Sequence, residues 1–383
     1  MNCLNFADRV WKWRNLAASL LLSGVLFPGI SNGENQPADI QAPVVAGSAA
    51  QVVGAQTENS TPPSGAVAEL VWPSPPLQPR IRYLGSISNP EDLGRKKGFW
   101  RKVWEFLRGD EESEQMIRPM AVAVDSQDRL LVADSKRFRV HVYDRRKAEY
   151  AYLQGSEVES MQLPIGLAVD GNDNIYVADG ELSKIFVFDK EGKFVRMLDT
   201  ADWLNRPSAL AVDRERKRLY VVDTPAHNVK MVDLTTGKVI NVIGRRGEDH
   251  GDFNFPTYVA LGKNGQLAVT DSMNMRIQLF DHEGQLVSSF GKHGDGSGDF
   301  ATPKGLALDS EGHIYVADAG FDNIQVFDEN GKLLLFWGTA GQKAGEFWLP
   351  TGLHIDGQDR IYIADSYNSR IQIFQYLGEQ KPK

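Results

Sequence analysis

The sequence predicts an all-β fold, a six-bladed β-propeller, from one strand pattern and two anchor residues that recur along the chain. Residues 302–338 hold four short apolar runs separated by turns rich in Gly, Asn and Asp, which predicts four antiparallel strands, called a to d. Strand a opens with a proline and strand b closes with an aspartate. Both anchors recur six times in the same order: Pro119, Pro164, Pro207, Pro256, Pro303 and Pro350; Asp134, Asp179, Asp223, Asp271, Asp318 and Asp365. Four strands in a period of ~45 residues are typical of a propeller blade.

The repeat resembles the NHL-repeat family. In the last repeat, residues 361–365 read Ile-Tyr-Ile-Ala-Asp and residues 370–374 read Arg-Ile-Gln-Ile-Phe, and both stretches are similar to the family motif. The resemblance covers residues 117–375 and one N-terminal strand. It implies the propeller fold, but NHL propellers serve as lyases, RNA binders or protein-docking modules, so it does not imply a single function.

Composition narrows the classes of partner and of site. Lys and Arg number 42 and Asp and Glu number 50, so the formal net charge is −8. A broad surface for nucleic acid or for an anionic membrane would need a basic excess, so neither is expected as a partner of the propeller. The single cysteine, Cys3, excludes an internal disulfide and a cysteine-rich zinc module, and no cofactor is expected.

The N-terminal region predicts export. Basic residues precede a largely apolar run at 16–27 and small residues follow it, which is the layout of a signal peptide over residues 1–33. Cleavage is expected near Ser31 or Gly33. The alternative is an uncleaved segment that anchors the chain in a membrane. The protein is therefore expected in the periplasm, in the cell envelope or outside the cell.

The propeller is expected to span residues 80–377 and to be closed by its own N-terminus. A linker at 34–79, rich in Pro, Ala, Gly and Ser, is expected to be disordered, and residues 378–383 form a tail. The last repeat ends after strand c, while residues 80–87 have the character of a strand d. This N-terminal strand is expected to complete the last blade, which removes two open strand edges.

A short helical insertion is predicted at residues 97–108. Trp100, Val103, Trp104 and Leu107 fall on one stripe at helical spacing. The stripe can pack on the propeller as a buttress, or it can serve as a docking helix for a protein partner or a membrane surface. Both readings stay open.

Two repeated columns are interpreted as follows. The aspartate that ends each strand b is expected to accept backbone N–H bonds at the turn into strand c, rather than to join a functional ring of carboxylates. The central residue of strand a is small in five repeats: Ala123, Ala168, Ala211, Ala260 and Ala307. His354 takes this place in the sixth repeat. It is either a functional imidazole facing the channel or a hydrogen-bonded core histidine.

The predicted binding surface is the face that carries the d–a and b–c loops, called the top face, where propellers commonly bind partners. Residues on this face that differ between repeats are aromatic, Met or cationic, and such side chains suit recognition of a protein or peptide. With the channel histidine, the predicted binding residues are Trp203, Tyr258, Met273, Lys304, Phe321, Tyr367 and His354. The predicted function is that of an exported, non-enzymatic scaffold.

Two alternative functions stay open: a lyase or hydrolase acting at the channel mouth, with or without a metal, and a structural subunit of an envelope assembly. Four histidines could approach the top face or the channel, each from a different repeat: His227, His250, His293 and His354. No ligand-spacing motif links them, so no metal ligand and no catalytic residue is assigned. Residues 170–174 are acidic, but they are expected to form a hairpin turn rather than a calcium loop.

Overall fold

The computed structural model describes residues 69–94 and 114–378, which form six antiparallel β-sheets arranged as the blades of a propeller. The innermost strand of each blade contacts the innermost strand of the next, from the first blade to the sixth and back to the first. The predicted six-bladed propeller is thereby confirmed. The predicted signal peptide and the helical insertion at 97–108 lie outside the described residues.

The strand bounds follow the predicted a-to-d order in each repeat. The chain enters through β1 (Val71–Trp72) and β2 (Ile81–Ile87). Blade 1 is β3 (Pro119–Val124), β4 (Arg129–Asp134), β5 (Arg139–Asp144) and β6 (Glu149–Leu153). Blade 2 is β7 (Pro164–Val169), β8 (Ile175–Asp179), β9 (Lys184–Phe188) and β10 (Phe194–Met197). Blade 3 is β11 (Pro207–Asp213), β12 (Arg218–Asp223), β13 (Asn228–Asp233) and β14 (Val239–Ile243).

The second half of the ring repeats the pattern. Blade 4 is β15 (Pro256–Leu261), β16 (Leu267–Asp271), β17 (Arg276–Phe280) and β18 (Leu286–Phe290). Blade 5 is β19 (Pro303–Leu308), β20 (Ile314–Asp318), β21 (Asn323–Phe327) and β22 (Leu333–Trp337). Blade 6 contains β23 (Pro350–Ile355), β24 (Arg360–Asp365) and β25 (Arg370–Tyr376). The helical elements among the described residues are short 3₁₀ turns: Pro90–Leu93, Thr224–Ala226, Lys263–Gly265, Ser272–Asn274 and Ser366–Asn368.

The hydrophobic core lies between neighbouring blades. Each buried cluster draws its side chains from two adjacent blades, so the six clusters follow one another around the ring. Strand β8 is buried along its whole length, and β20 is too. Face-to-face packing of blades buries both faces of such strands, which explains why their sequences are apolar throughout instead of alternating.

The N-terminal strand closes the ring, as the sequence predicts. Strand β2 pairs antiparallel with β25, and Ile81 lies opposite Tyr376 while Ile87 lies opposite Ile371. Ile81 and Ile87 are both buried. Tyr83 also packs edge-on against Phe374, with ring centroids 5.4 Å apart. Blade 6 is thus assembled from both ends of the described chain.

The prediction of a disordered linker is wrong for its last residues, 69–79. Strand β1 pairs with β2, so the sheet of blade 6 has a fifth strand. Trp72 packs edge-on against Phe374 at a centroid distance of 5.8 Å, and its carbonyl accepts a bond from the Arg80 N–H at 2.7 Å. The prolines of this segment argue against a strand when only the sequence is considered. Proline is nevertheless tolerated at a sheet edge, and the Trp72 ring anchors the segment.

The repeated aspartates have the structural role that the sequence predicts. Asp365 is buried and accepts bonds from the backbone N–H of Trp348 and from the Arg370 Nε, both at 2.8 Å. It also accepts a bond from Gln372 Nε2 at 3.0 Å. The aspartate of every other blade likewise accepts backbone N–H bonds from the preceding d–a loop. These carboxylates therefore hold the top-face loops in place.

Candidate functional site

The inner edges of the six strands a surround a central channel. The channel has a cavity volume of about 180 Å³ and is lined by the small and aliphatic residues of these strands. His354, in β23, lines the channel in place of the alanine found in the other blades. The sequence left two interpretations of His354 open, and the structure supports the channel-facing placement.

Tyr258 spans part of the channel near its top end. The corresponding strand position is small in the other five blades: Ala121, Gly166, Ala209, Gly305 and Gly352. Burial raises the pKa of Tyr258 to about 12, and the nearby backbone of Leu353 in blade 6 partly offsets this rise. Gly305 in blade 5 lets its strand approach blade 6, because a Cβ there would lie 1.9 Å from the Thr351 carbonyl oxygen. Tyr258 is therefore a channel residue rather than a surface residue.

A second cavity, larger than the channel, lies at the other end of the channel, on the bottom face, which carries the a–b and c–d turns. This bottom mouth has a volume of about 370 Å³ and is lined by the following charged or titratable residues: Asp125, Asp128, Arg146, Arg214, His354, Asp356 and Arg360. Arg214 and His354 also line the channel, so the two cavities are continuous. The sequence predicts binding on the top face, and none of the predicted binding residues lies in an a–b or c–d turn.

The electrostatics of His354 are set by its surroundings. Burial lowers the pKa of His354 to about 4, and the nearby Arg214 guanidinium adds to this shift while Asp356 opposes it. The imidazole is therefore neutral at pH 7. Its ring lies 6.3 Å from that of Tyr362, centroid to centroid. A neutral imidazole at this position can accept or donate a hydrogen bond to a molecule in the mouth.

An ion-pair network joins blades 1 and 6 at the wall of the bottom mouth. Arg360 donates from Nη2 to Asp128 Oδ1 at 2.5 Å and from Nε to Asp356 Oδ2 at 2.7 Å. Arg145 also donates to Asp128, and its guanidinium lies 5.1 Å above the ring of Tyr362. The network holds Asp128 and Asp356 in position, and each of these carboxylates is paired with an arginine.

The top face exposes an aromatic cluster at the blade 6–blade 1 seam. Trp348 and Tyr367 have ring centroids 5.6 Å apart, and the Arg118 guanidinium lies 4.7 Å above the Tyr367 ring. Trp348 is 47% exposed and Tyr367 is 45% exposed. Ile117 and Phe138 are exposed in neighbouring loops of this face. We call these five residues the seam cluster.

A second exposed group lies on blades 3 and 4 of the same face. Phe255 packs on His227 with ring centroids 4.4 Å apart, and the Phe255 N–H donates to His227 Nδ1 at 3.2 Å. The Met273 N–H donates to the Asn254 carbonyl at 3.0 Å, which places the exposed Met273 beside this pair. Both groups are held by backbone hydrogen bonds, so their side chains are presented in fixed positions.

The predicted binding residues divide into surface and interior positions. Met273 and Tyr367 are exposed, and Phe321 is half-buried at a cavity of about 280 Å³ that it shares with Phe336. Trp203 packs against the core between blades 2 and 3 and donates from Nε1 to the Asp199 carbonyl at 2.8 Å. Trp203 is half-buried because part of its apolar ring packs on this core, and a sequence cannot place such a ring on one side of a loop or the other.

Lys304 is also more enclosed than the sequence analysis expected. Burial lowers the pKa of its amine, and the nearby Asp318 partly offsets this shift.

The residues that sequence reasoning missed are Trp348, Phe255 and Ile117, which lie one or two positions before the proline of a strand a. Comparison of these loop positions between repeats would have found them, since apolar residues recur there while other repeats carry Asn, Arg or Thr.

No group of three or more His, Cys, Asp or Glu side chains suited to hold a metal ion occurs within 69–94 and 114–378. The acidic turn at 170–174 is a hairpin turn in which Asp170 accepts the backbone N–H groups of Asn172 and Asn174 at 2.8 and 2.9 Å. Within the described part of the chain, none of the helices has the length and apolar character needed to cross a membrane.

The repeats match a known family. A family model described as NHL repeat matches residues 117–143, 300–327 and 347–374. The chain contains NHL repeats and folds as a six-bladed β-propeller. The three matched segments lie in blades 1, 5 and 6, where the strand-b aspartate and the following strand c are closest to the motif.

Curated relatives of this NHL propeller match it over one segment. A probable peptidyl-alpha-hydroxyglycine alpha-amidating lyase of Caenorhabditis elegans is 37% identical over 82 residues, which are 20% of this chain and 23% of the lyase. An NHL repeat-containing protein 2 of Bos taurus is 36% identical over 90 residues, which are 21% of this chain and 12% of that protein. The matching segments span less than a quarter of these relatives.

Solved structures share the fold at low sequence identity. Virginiamycin B lyase from Staphylococcus aureus superposes with a TM-score of 0.53 at 12% identity, over 69% of this chain and 97% of the lyase. A gluconolactonase from Xanthomonas campestris superposes with a TM-score of 0.54 at 19% identity, over 68% of this chain and 87% of that enzyme. At this identity the likeness shows the propeller fold alone.

Proposed function

We propose that this NHL propeller is a docking module that binds an acidic peptide segment of another protein through its top face. The observation that carries the proposal is the seam cluster, where Trp348, Tyr367 and Arg118 stack in the open. Stacked aromatic and arginine side chains provide contact area that is already ordered before binding, and such residues dominate binding energy in protein interfaces.

The charge of the top face supports an acidic partner. Arg118, Lys136, Arg137 and Arg206 lie in its loops, and none of the four forms an ion pair with another described residue. The whole chain carries a formal charge of −8, and these four side chains are local positive charges on this face. Local charge of this kind selects and orients an acidic partner.

The test is a peptide-display experiment on the immobilised full-length chain. We expect the selected peptides to be rich in Asp and Glu and to carry an aromatic or large apolar residue. A fluorescent copy of a selected peptide should bind about tenfold or more weakly to a Trp348→Ala/Tyr367→Ala variant, since each anchor contributes more than about 1.4 kcal/mol in a typical hot spot.

A matched control uses exposed apolar residues away from the top-face loops. Val287 and Leu334 lie on the outer strands of blades 4 and 5 and are exposed to a similar degree as the two aromatic residues of the seam cluster. A Val287→Ala/Leu334→Ala variant should bind the peptide unchanged. Selection of basic peptides, or equal binding by both double variants, would contradict the proposal.

Chemistry at the channel mouth is the second candidate, and the observation in its favour is the neutral His354 at a cavity of about 370 Å³. The neighbours named as lyases and as a gluconolactonase supply the reactions to test. Hydrolysis of a lactone panel, or lyase action on virginiamycin B, on quinupristin or on a peptidyl-alpha-hydroxyglycine, would support it if His354→Ala abolished turnover in a folded protein. Unchanged turnover in that variant would assign the activity elsewhere.

Export and the docking helix complete the proposal. The signal-peptide pattern of residues 1–33 supports action in the periplasm, in the envelope or outside the cell. Cell fractionation with N-terminal sequencing tests this, and an intact N-terminus in the cytoplasmic fraction would contradict it.

Deletion of residues 97–108 should leave the propeller folded. Loss of peptide binding would identify a docking helix, whereas loss of stability alone would identify a buttress.

A further inference from the structure

The bottom mouth is a second site, at the opposite end of the channel from the seam cluster. We propose that it binds a small organic anion, a molecule that carries carboxylate or phosphate groups. Its volume of about 370 Å³ lies at the lower end of the range of ligand pockets in proteins, roughly 300–1,000 Å³. The inference does not depend on the docking function of the top face.

The carboxylates of the mouth already have cationic partners. Asp125 accepts a bond from Arg129 Nε at 2.5 Å. Arg360 bonds to both Asp356 and Asp128, at 2.7 and 2.5 Å. The acidic wall is therefore neutralised within the protein. It has no excess negative charge with which to attract a cation.

Two arginines of the mouth lack such a partner. Arg146, in the c–d turn of blade 1, and Arg214, in the a–b turn of blade 3, line the same cavity and form no ion pair with any residue in the described ranges. Both are exposed, and Arg214 makes one long bond, from Nη2 to the Val169 carbonyl at 3.4 Å. A guanidinium presents several N–H donors in a fork that matches carboxylate and phosphate oxygens. An anionic ligand would supply the missing acceptors.

A glycine opens the mouth at the blade 6–blade 1 seam. In two other seams, a serine after the turn aspartate bonds to the next blade: Ser126 Oγ to Asp173 Oδ2 at 2.5 Å, and Ser310 Oγ to Asp359 Oδ2 at 2.7 Å. Gly357 has the corresponding position in blade 6, and a Cβ there would meet no atom within 4 Å. The serine side chain that bridges those two seams is thus missing at the blade 6–blade 1 seam, where the cavity lies.

The floor of the mouth is suited to a polar ligand. His354 lies between the mouth and the channel, and its imidazole is neutral at pH 7. It can hydrogen-bond a hydroxyl or carboxylate oxygen without adding a charge that must be balanced. Beyond it the channel is aliphatic, which favours a ligand whose charged groups face outward toward Arg146 and Arg214.

The test is calorimetric titration of the full-length chain with succinate, citrate, inorganic phosphate and glycerol phosphate. Glycerol and putrescine serve as the uncharged and cationic probes. We expect at least one anion to bind at one site per chain, and neither control probe to bind. Preference between the carboxylates and the phosphates assigns the ligand class. Arg146→Gln and Arg214→Gln should each weaken binding about tenfold, as the loss of a charge-assisted hydrogen bond predicts.

Two further variants separate a built site from diffuse attraction. Lys217→Gln removes a positive charge from the same turn as Arg214, but Lys217 does not line the mouth, so affinity should not change. Gly357→Leu keeps every charge and fills the cavity, so it should abolish binding. The proposal is overturned if no anion binds, if glycerol binds as well as the anions, if Lys217→Gln weakens binding as much as Arg214→Gln, or if Gly357→Leu binds normally. The Trp348→Ala/Tyr367→Ala variant should bind the anion unchanged, which keeps this test separate from that of docking.

Discussion

The side chain of Tyr258 in blade 4 approaches the backbone of Leu353 in blade 6 closely enough for that backbone to lower the pKa of the hydroxyl, against the larger rise that burial causes. One side chain thereby connects two blades that are not neighbours in the ring. In a propeller whose blades contact only their neighbours, the packing of the strands alone sets the diameter of the channel. Tyr258 adds a direct connection across the channel, one residue away from His354 along β23.

The first prediction concerns this connection. Tyr258→Phe removes the hydroxyl that lies near the Leu353 backbone and should reduce the free energy of unfolding by about 1 kcal/mol. Denaturant unfolding measures the change. Tyr152→Phe is the control, since Tyr152 is exposed and its ring contacts Arg139 through its face. A Tyr258→Phe protein as stable as the Tyr152→Phe protein would show that the hydroxyl contributes nothing across the channel.

The second prediction concerns ring closure. Ile81 is buried between β25 and its neighbours, so Ile81→Ala should destabilise the propeller by about 2–5 kcal/mol through lost burial and the cavity left behind. Leu84 lies on the same strand and is 48% exposed, so Leu84→Ala should change stability by less than about 0.5 kcal/mol. The two variants are compared by denaturant unfolding, and equal stability would mean that β2 does not hold the ring.

The third prediction separates structural from surface aspartates. Asp365→Ala removes a fully buried carboxylate and leaves the half-buried Arg370 guanidinium without it, so stability should fall by about 3–5 kcal/mol or folding should fail. Asp328 accepts the N–H groups of Asn330 and Lys332 in an exposed turn, so Asp328→Ala should reduce stability by about 1 kcal/mol. Thermal unfolding ranks the variants. If Asp365→Ala changes stability only slightly but abolishes peptide or anion binding, Asp365 instead has a functional role.

The fourth prediction concerns pH. The pKa of His354 is about 4 in the folded protein, and about 6.5 when the chain is unfolded. Between these values the unfolded chain binds a proton that the folded one does not, so this group makes stability fall as the pH is lowered. Relative to His354→Gln, the natural protein should lose about 2 kcal/mol between pH 7 and pH 5.

The comparison with His354→Gln isolates this residue, because His141, whose pKa is also lowered by burial, is present in both proteins. Denaturant unfolding at the two pH values gives the difference, and an NMR titration of the imidazole gives the pKa directly. Parallel pH dependence in the two proteins would place His354 in solvent rather than in the channel.

The sequence predicts the blades well because each strand is defined by residues that are close in the chain. The proline that opens a strand a and the aspartate that closes a strand b lie 15 residues apart in the last repeat, at Pro350 and Asp365, and their bonds are local to one blade. The closing strand was also predictable, since the last repeat lacks a partner for Ile371.

The candidate sites were less predictable because they arise between blades. The bottom mouth brings Arg146 and Arg214 to one cavity from turns 68 positions apart, and nothing in either turn indicates the other. Trp203 could not be assigned to the core or the surface from its loop, since an aromatic ring serves either role. Trp348 and Tyr367 form one stack only because the d–a and b–c loops of blade 6 meet.

The pairing of β2 with β25 also fixes the order in which the molecule can be completed. Ile81 and Tyr376 are partners, so β2, one of the first two strands of the described chain, cannot complete its pairing until β25, the last of them, has been synthesised. Blades 1 to 5 contain all their own strands and can fold as they are synthesised, whereas blade 6 closes only after nearly the whole chain has emerged. Contacts of such long sequence separation form slowly. A chain halted before residue 370 lacks β25 and would therefore expose unpaired edges on β2 and β24. Such edges would distinguish an incomplete chain from a finished one.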